Sequence, residues 1–109
     1  MALPNDMSQV PASVTNSCVA YLTIALQGLE DGATEFGLPQ DTTRRFVTQT
    51  LLTTARLLQE HPGSPADLKD QVASPGGTTI TGLAVLEQKA VRGALLGAMR
   101  DAVAAAPEG

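Results

Sequence analysis

The chain has 109 residues and a formal net charge of −4, set by eleven acidic residues against seven Lys and Arg. That length gives room for one domain and one core, and the negative balance excludes nucleic acid as a partner, because phosphate binding depends on clustered cations. Only Arg44 and Arg45 are adjacent. The chain is 43 % hydrophobic and 17 % charged, an ordinary globular mixture. Its only aromatics are Tyr21, Phe36 and Phe46, so a core must be built from Leu, Val, Ile and Ala, which suits close helix packing and not a β-sandwich.

No stretch approaches the roughly 20 apolar residues that span a bilayer, so no membrane partner is expected. The opening Met-Ala-Leu-Pro-Asn-Asp has no basic start followed by an apolar run and does not resemble a secretory signal. A single cysteine, Cys18, cannot form an internal disulfide, which points to a reduced, cytoplasmic setting. One His and one Cys give no basis for a metal site.

Residues 1–12 carry two prolines and little periodicity and read as a flexible lead-in to a helical domain over 13–106. In the first helix, Cys18, Leu22, Ala25, Leu29, Ala33 and Phe36 recur at spacings of four and three, placing them on one face. Val14, Tyr21 and Ile24 widen that face. Cys18 is accordingly expected to be a buried structural thiol, and Tyr21 a packing residue with its hydroxyl at an edge. Gly37 can turn left-handed at the helix end. Pro39 suits the first turn of a second helix, whose apolar face is Val47, Leu51, Thr54 and Leu58, flanked by Phe46, Thr50 and Leu57. His61-Pro62-Gly63 should end it, and the lone His61 reads as a solvated turn residue.

Ser64-Pro65-Ala66-Asp67 has the pattern of a capping box for a short third helix near 65–73, on which Lys69 and Asp70 could form a local ion pair. Ser74-Pro75-Gly76-Gly77 breaks that helix. A fourth helix starts near Thr78 and carries Ile80, Leu83, Ala84 and Leu86. A fifth runs from Val91 to Ala104, with Leu95, Leu96, Met99 and Val103 in its apolar set. No strand pattern competes, so the class is all-α with five helices. Three short helices cannot cover two long ones with broad apolar faces, so an obligate homodimer is expected, the long helices packing across its two-fold axis. A monomeric five-helix bundle is the alternative.

The chemistry-bearing stretch runs from Leu68 to Leu83. Its Pro75-Gly76-Gly77 turn leads straight into a helix whose first N–H groups lack internal partners. Those donors and the positive end of the helix dipole make an anion site of carboxylate size, rimmed by the Thr78 and Thr79 hydroxyls. Read physically, the same residues also describe a capped helix start with the threonines as caps.

Lys69-Asp70-Gln71-Val72, Ser74-Pro75-Gly76-Gly77-Thr78-Thr79-Ile80, Gly82-Leu83 and Leu86-Glu87 together resemble the signature of pyrroline-5-carboxylate reductases. Ala20-Tyr21, Gly37-Leu38-Pro39 and Gln49-Thr50 extend the likeness to roughly residues 14–105. The resemblance implies the interlocking dimerisation domain of an enzyme of amino-acid biosynthesis that reduces 1-pyrroline-5-carboxylate to L-proline with NADH or NADPH. Some members of the family assemble further, into decamers. The resemblance also implies a substrate carboxylate (of proline or pyrroline-5-carboxylate) surrounded by Ser74, Gly76, Gly77, Thr78 and Thr79, with Val72 lining the pocket. The dinucleotide of such enzymes sits in a separate Rossmann domain, for which this chain has no βαβ pattern. No cofactor is therefore expected on this chain, and the chain alone is expected to be inactive.

Two departures from the family pattern stand out. Thr15-Asn16-Ser17-Cys18-Val19-Ala20-Tyr21 replaces a Ser-Gly-Ser-Gly-Pro-Ala-Tyr run, which puts side chains where glycines allow close backbone approach. Ser64-Pro65 stands where the family commonly has His-Pro. Three readings follow: a dimerisation and substrate-binding domain, half of a split reductase needing a Rossmann-domain partner, or a helical interaction protein that has kept the fold without the chemistry.

Overall fold

A computed structural model of the chain describes residues 11–60, 63–73 and 77–106. The lead-in expected before residue 11, the His61-Pro62 breaker and the Ser74-Pro75-Gly76 part of the turn lie outside the described residues. Five helices follow in order: α1 (Ala12–Glu35), α2 (Gln40–Glu60), α3 (Pro65–Val72), α4 (Thr78–Gln88) and α5 (Val91–Ala105). There is no strand among the described residues, and the class is all-α.

Each boundary has a local cause. At the end of α1, Gly37 takes a φ of +115°. That conformation lets the Leu38 amide donate to the Ala33 carbonyl at 3.4 Å and the Gly37 amide to the Thr34 carbonyl at 2.9 Å. This pair of bonds is a Schellman closure, and a side chain at Gly37 would strain it. Pro39 sits one position earlier than expected: it precedes α2, and its carbonyl accepts the Thr43 amide at 2.9 Å. Its missing N–H costs nothing there. Asp41 in the first turn matches the positive end of the dipole.

The capping box of α3 forms as the sequence pattern implies. The Asp67 amide donates to Ser64 Oγ at 3.3 Å, and the Ser64 amide donates to the Asp67 carboxylate at 2.9 Å. Gly63 has a packing reason to be glycine, since a Cβ there would lie 2.6 Å from Asp67 Oδ2. The helix stops at Val72, and the Ala73 amide closes it on the Lys69 carbonyl at 3.0 Å.

Between α4 and α5 no glycine or proline acts. Ala90 instead takes the left-handed conformation (φ 54°, ψ 45°) and serves as the N-cap of α5. An alanine pays about 1 kcal/mol or more for that conformation.

The chain divides into two compact units. One joins the first part of α1, through Ala25, with α5. There the Tyr21 hydroxyl donates to the Ala98 carbonyl at 3.1 Å, so Tyr21 acts as a packing residue with an occupied polar end. The other unit is Leu26–Lys89. Its interior lies along one face of α2: Thr43 and Val47 are buried, and Leu51, Thr54 and Leu58 follow half-buried on the same stripe. α3 packs against α2.

The last part of α1 is clipped to the start of α2 by a forked ion pair. Arg44 donates to Glu30 from Nη2 at 2.9 Å and from Nε at 3.3 Å, and Gln40 adds a bond at 3.4 Å. Hydrogen bonding from Arg44 lowers the Glu30 pKa below its ordinary value, opposed by burial and helped by Gln40. The local Lys69–Asp70 pair does not form. Arg44–Glu30 is an ion pair among the described residues.

The expected apolar face of α1 is where the single chain departs most from the sequence reading. Leu22, Leu29 and Phe36 are exposed, Phe36 by 88 %. Cys18, expected to be buried, is exposed as well. The periodicity that marks these residues as a face carries no information on what covers it, and among the described residues Leu22, Leu29 and Phe36 stay exposed.

Candidate functional site

The expected site residues fall at the junction of α3 and α4. Val72 is the last residue of α3 and is exposed. Gly77 is the N-cap of α4, extended at φ −83° and ψ 169°, and Thr78 and Thr79 are the first two helical residues. Ser74 and Gly76 lie outside the described residues. No described side chain caps α4, and neither threonine hydroxyl is engaged as a cap. The positive end of the α4 dipole lies at this first turn.

Two of these residues border one cavity of about 280 Å³, built entirely within Leu26–Lys89. From α2 come Thr54, Leu57 and Leu58, spaced three and one apart and therefore neighbours on a single face. α3 contributes Pro65, Leu68, Lys69 and Val72, again at helical spacing. Thr79 and Leu83, one turn apart, close it from α4. Val72 and Thr79 are thereby brought together, whereas Gly77 and Thr78 do not line the cavity.

The walls are mainly apolar, formed by four leucines with Pro65 and Val72, and Thr54, Lys69 and Thr79 are the polar residues among the described lining. An apolar hollow with a few convergent polar groups is the usual form of a small-molecule site. Lys69, Leu57 and Leu68 did not emerge as site residues from the sequence. Their signal was present, in the stripe of α2 that holds Thr54 and Leu58 and in the Lys69-Asp70-Gln71-Val72 motif, but nothing in a linear pattern joins α2 to α4.

Among the described residues no group of three or more His, Cys, Asp or Glu could hold a metal ion. No described helix is long and apolar enough to cross a membrane. The described residues also contain no βαβ unit, the element that seats a dinucleotide.

Comparison with known proteins agrees with the motif. The pyrroline-5-carboxylate reductase dimerisation family matches residues 5–108. A pyrroline-5-carboxylate reductase of Synechocystis is 40 % identical over 100 residues, which are 92 % of this chain and 38 % of the relative. Pyrroline-5-carboxylate reductase 3 of Rattus norvegicus is 37 % identical over 106 residues, 97 % of this chain and 39 % of the relative. Among solved structures, a pyrroline-5-carboxylate reductase from Coxiella burnetii superposes with a TM-score of 0.80 at 31 % identity, covering 94 % of this chain and 38 % of that one. The Plasmodium falciparum pyrroline carboxylate reductase, solved with NADP bound, shares the fold with a TM-score of 0.79 at 23 % identity. The chain therefore spans about two fifths of the length of these relatives, and it belongs to the pyrroline-5-carboxylate reductase dimerisation domain family.

Proposed function

We propose that this chain is the dimerisation and substrate-carboxylate-binding domain of a pyrroline-5-carboxylate reductase and that it acts as a homodimer. The observation that carries the dimer is the bare apolar surface. Val47 is the only buried hydrophobic residue among those described, while Ile24, Leu29, Phe36 and Phe46 are each at least 62 % exposed. A folded domain of this size normally hides well over half of the surface its unfolded chain exposes. Contiguous apolar faces of this extent mark an interface. The long helices α1 and α2 of two copies would interlock and cover them, and the dimers could build the larger rings that the family resemblance implies.

In this reading the domain is the helical unit over 13–106, and its own residues bind and orient the substrate. The α4 first-turn amides and the Gly76–Thr79 turn hold the carboxylate of pyrroline-5-carboxylate or proline, with Ser74 at the rim and Val72 against the ring. NADH or NADPH would be held by a Rossmann domain, which lies outside these residues or acts in trans. Without it the chain binds but does not reduce.

Calorimetric titration with L-proline and a non-cyclic carboxylate tests this, alongside sedimentation to measure the oligomer. The expected result is a dimer that prefers proline and loses about tenfold in affinity in Thr79→Ala, the size of one hydrogen bond to a charged group. Adding a Rossmann-domain protein should restore turnover if the nucleotide site acts in trans. A second reading is favoured by α1 itself, which runs as unbroken helix through Asn16, Cys18 and Val19, where the family carries glycines and a proline. An interaction protein that has kept the fold without the chemistry would dimerise yet bind no proline at millimolar concentration.

A further inference from the structure

Beside the covered stripe of α2 runs a second one. Phe46, Thr50, Thr53 and Leu57 follow one another at spacings of four, three and four, and all are exposed. At 3.6 residues per turn, Leu57 returns to within about 20° of Phe46 around the helix. The ends of this stripe are bulky and its middle is small. The Thr50 hydroxyl donates to the Phe46 carbonyl at 2.8 Å, the Thr54 hydroxyl donates to the Thr50 carbonyl at 2.8 Å, and Gln49 Nε2 donates to Thr53 Oγ1 at 3.5 Å. Thr50 and Thr54 thus have their donors bonded within the helix, and an apolar surface can cover them without stranding a hydroxyl. Leu57, at the far end, also lines the cavity between α2, α3 and α4, to which no described aromatic side chain contributes.

The matching family is one of dimerisation domains, so the surface that covers this stripe is that of a second copy. An isologous contact places each residue against the image of another residue of the same patch. With the two-fold axis at the small middle of the stripe, the helices approach closely and each Phe46 meets a leucine at the opposite end. A parallel pairing would instead set two Phe46 rings against each other at one end. We propose that α2 pairs antiparallel with α2 of a second copy about an axis between Thr50 and Thr53, each Phe46 seating on Leu57 of the partner subunit at the edge of its cavity. This rests on the homodimer reading above. It adds the register of one helix pair and a residue that the second copy contributes to the cavity lined by Val72 and Thr79.

Within one chain Phe46 and Leu57 lie roughly 16 Å apart along the helix and cannot touch, which makes the register testable by charge exchange. Sedimentation over a concentration series would measure association of the full chain as wild type, Phe46→Lys, Leu57→Glu and the double variant, with helix content followed by circular dichroism. Each single substitution should weaken association about a hundredfold, because it buries an unpaired charge. The double variant should associate about tenfold more tightly than either single, because its ammonium and carboxylate meet only across the axis. Singles that associate like wild type, or a double no tighter than the singles, overturn the register and leave the homodimer standing. Loss of helix content in a single variant is judged by the same double, whose recovery no damage within one chain would produce. A monomeric wild type overturns the homodimer itself, and the register with it.

Discussion

α1 and α2 are nearly equal in length, 24 and 21 residues, and each carries a stripe of apolar residues at helical spacing. Their fates in the single chain differ. The stripe of α2 turns inward, burying Val47 and Thr43 and half-burying Leu51 and Leu58. The stripe of α1 is exposed at Leu22 (51 %) and Leu29 (62 %), as is Phe36 (88 %) one residue past the helix end. α2 gains cover because α3 returns against it within the same chain. α5 joins the first part of α1, through Ala25, yet Leu22 and Leu29 stay exposed among the described residues. An amphipathic pattern therefore states which face needs burial, and connectivity decides whether the chain can bury it alone.

The sharpest way to break this comparison is to charge the bare stripe. Leu29→Arg should weaken the proposed dimer by roughly 3 kcal/mol, over a hundredfold in association, because it would bury an unpaired cation. Sedimentation over a concentration series reads this directly, and a variant that associates like wild type would mean the α1 face is not the interface. Val47→Ala addresses the covered stripe. It should cost about 2 kcal/mol through lost burial and a residual cavity, seen in denaturant unfolding extrapolated to a single dimer concentration. Its effect should fall on stability within the unit, with the wild-type stoichiometry retained.

The smallest effect expected concerns the clip that joins the two helices. Arg44 lowers the Glu30 pKa below its ordinary value of 4.5, so the pair stabilises the fold above that value. Its contribution is lost as pH falls through the lowered, folded-state pKa. Thermal melts of wild type and Glu30→Gln should therefore differ near neutral pH and converge in acid. A constant difference down to pH values well below 4.5 would show that the pair is energetically silent.

Much of the local structure was legible in the residues. Gly37 closes α1, Ser64 and Asp67 cap α3, and Pro65 occupies its first turn, because capping depends on side chains within three or four positions of one another. The α4–α5 junction was different. Both helices were visible as periodic segments, but the left-handed Ala90 between them carries no glycine or proline signal. Cys18 is exposed for a related reason: helical spacing places it on an apolar face but does not say what covers that face. At the site, the Gly76-Gly77-Thr78-Thr79 motif identified the α4 end and gave no hint of the α2 wall.

By itself, then, the sequence determined the five helices, the closure of α1, the capping box of α3 and the family, because each depends on contacts a few residues long or on a contiguous motif. Tertiary structure alone decided that Val47 is buried while Leu22 and Leu29 stay exposed, and that Lys69 and Val72 share a cavity with Thr79 and with Leu57, twelve residues from Lys69 and twenty-two from Thr79. Those neighbours are set by how helices pack, and packing is a property of surfaces brought together from distant parts of the chain.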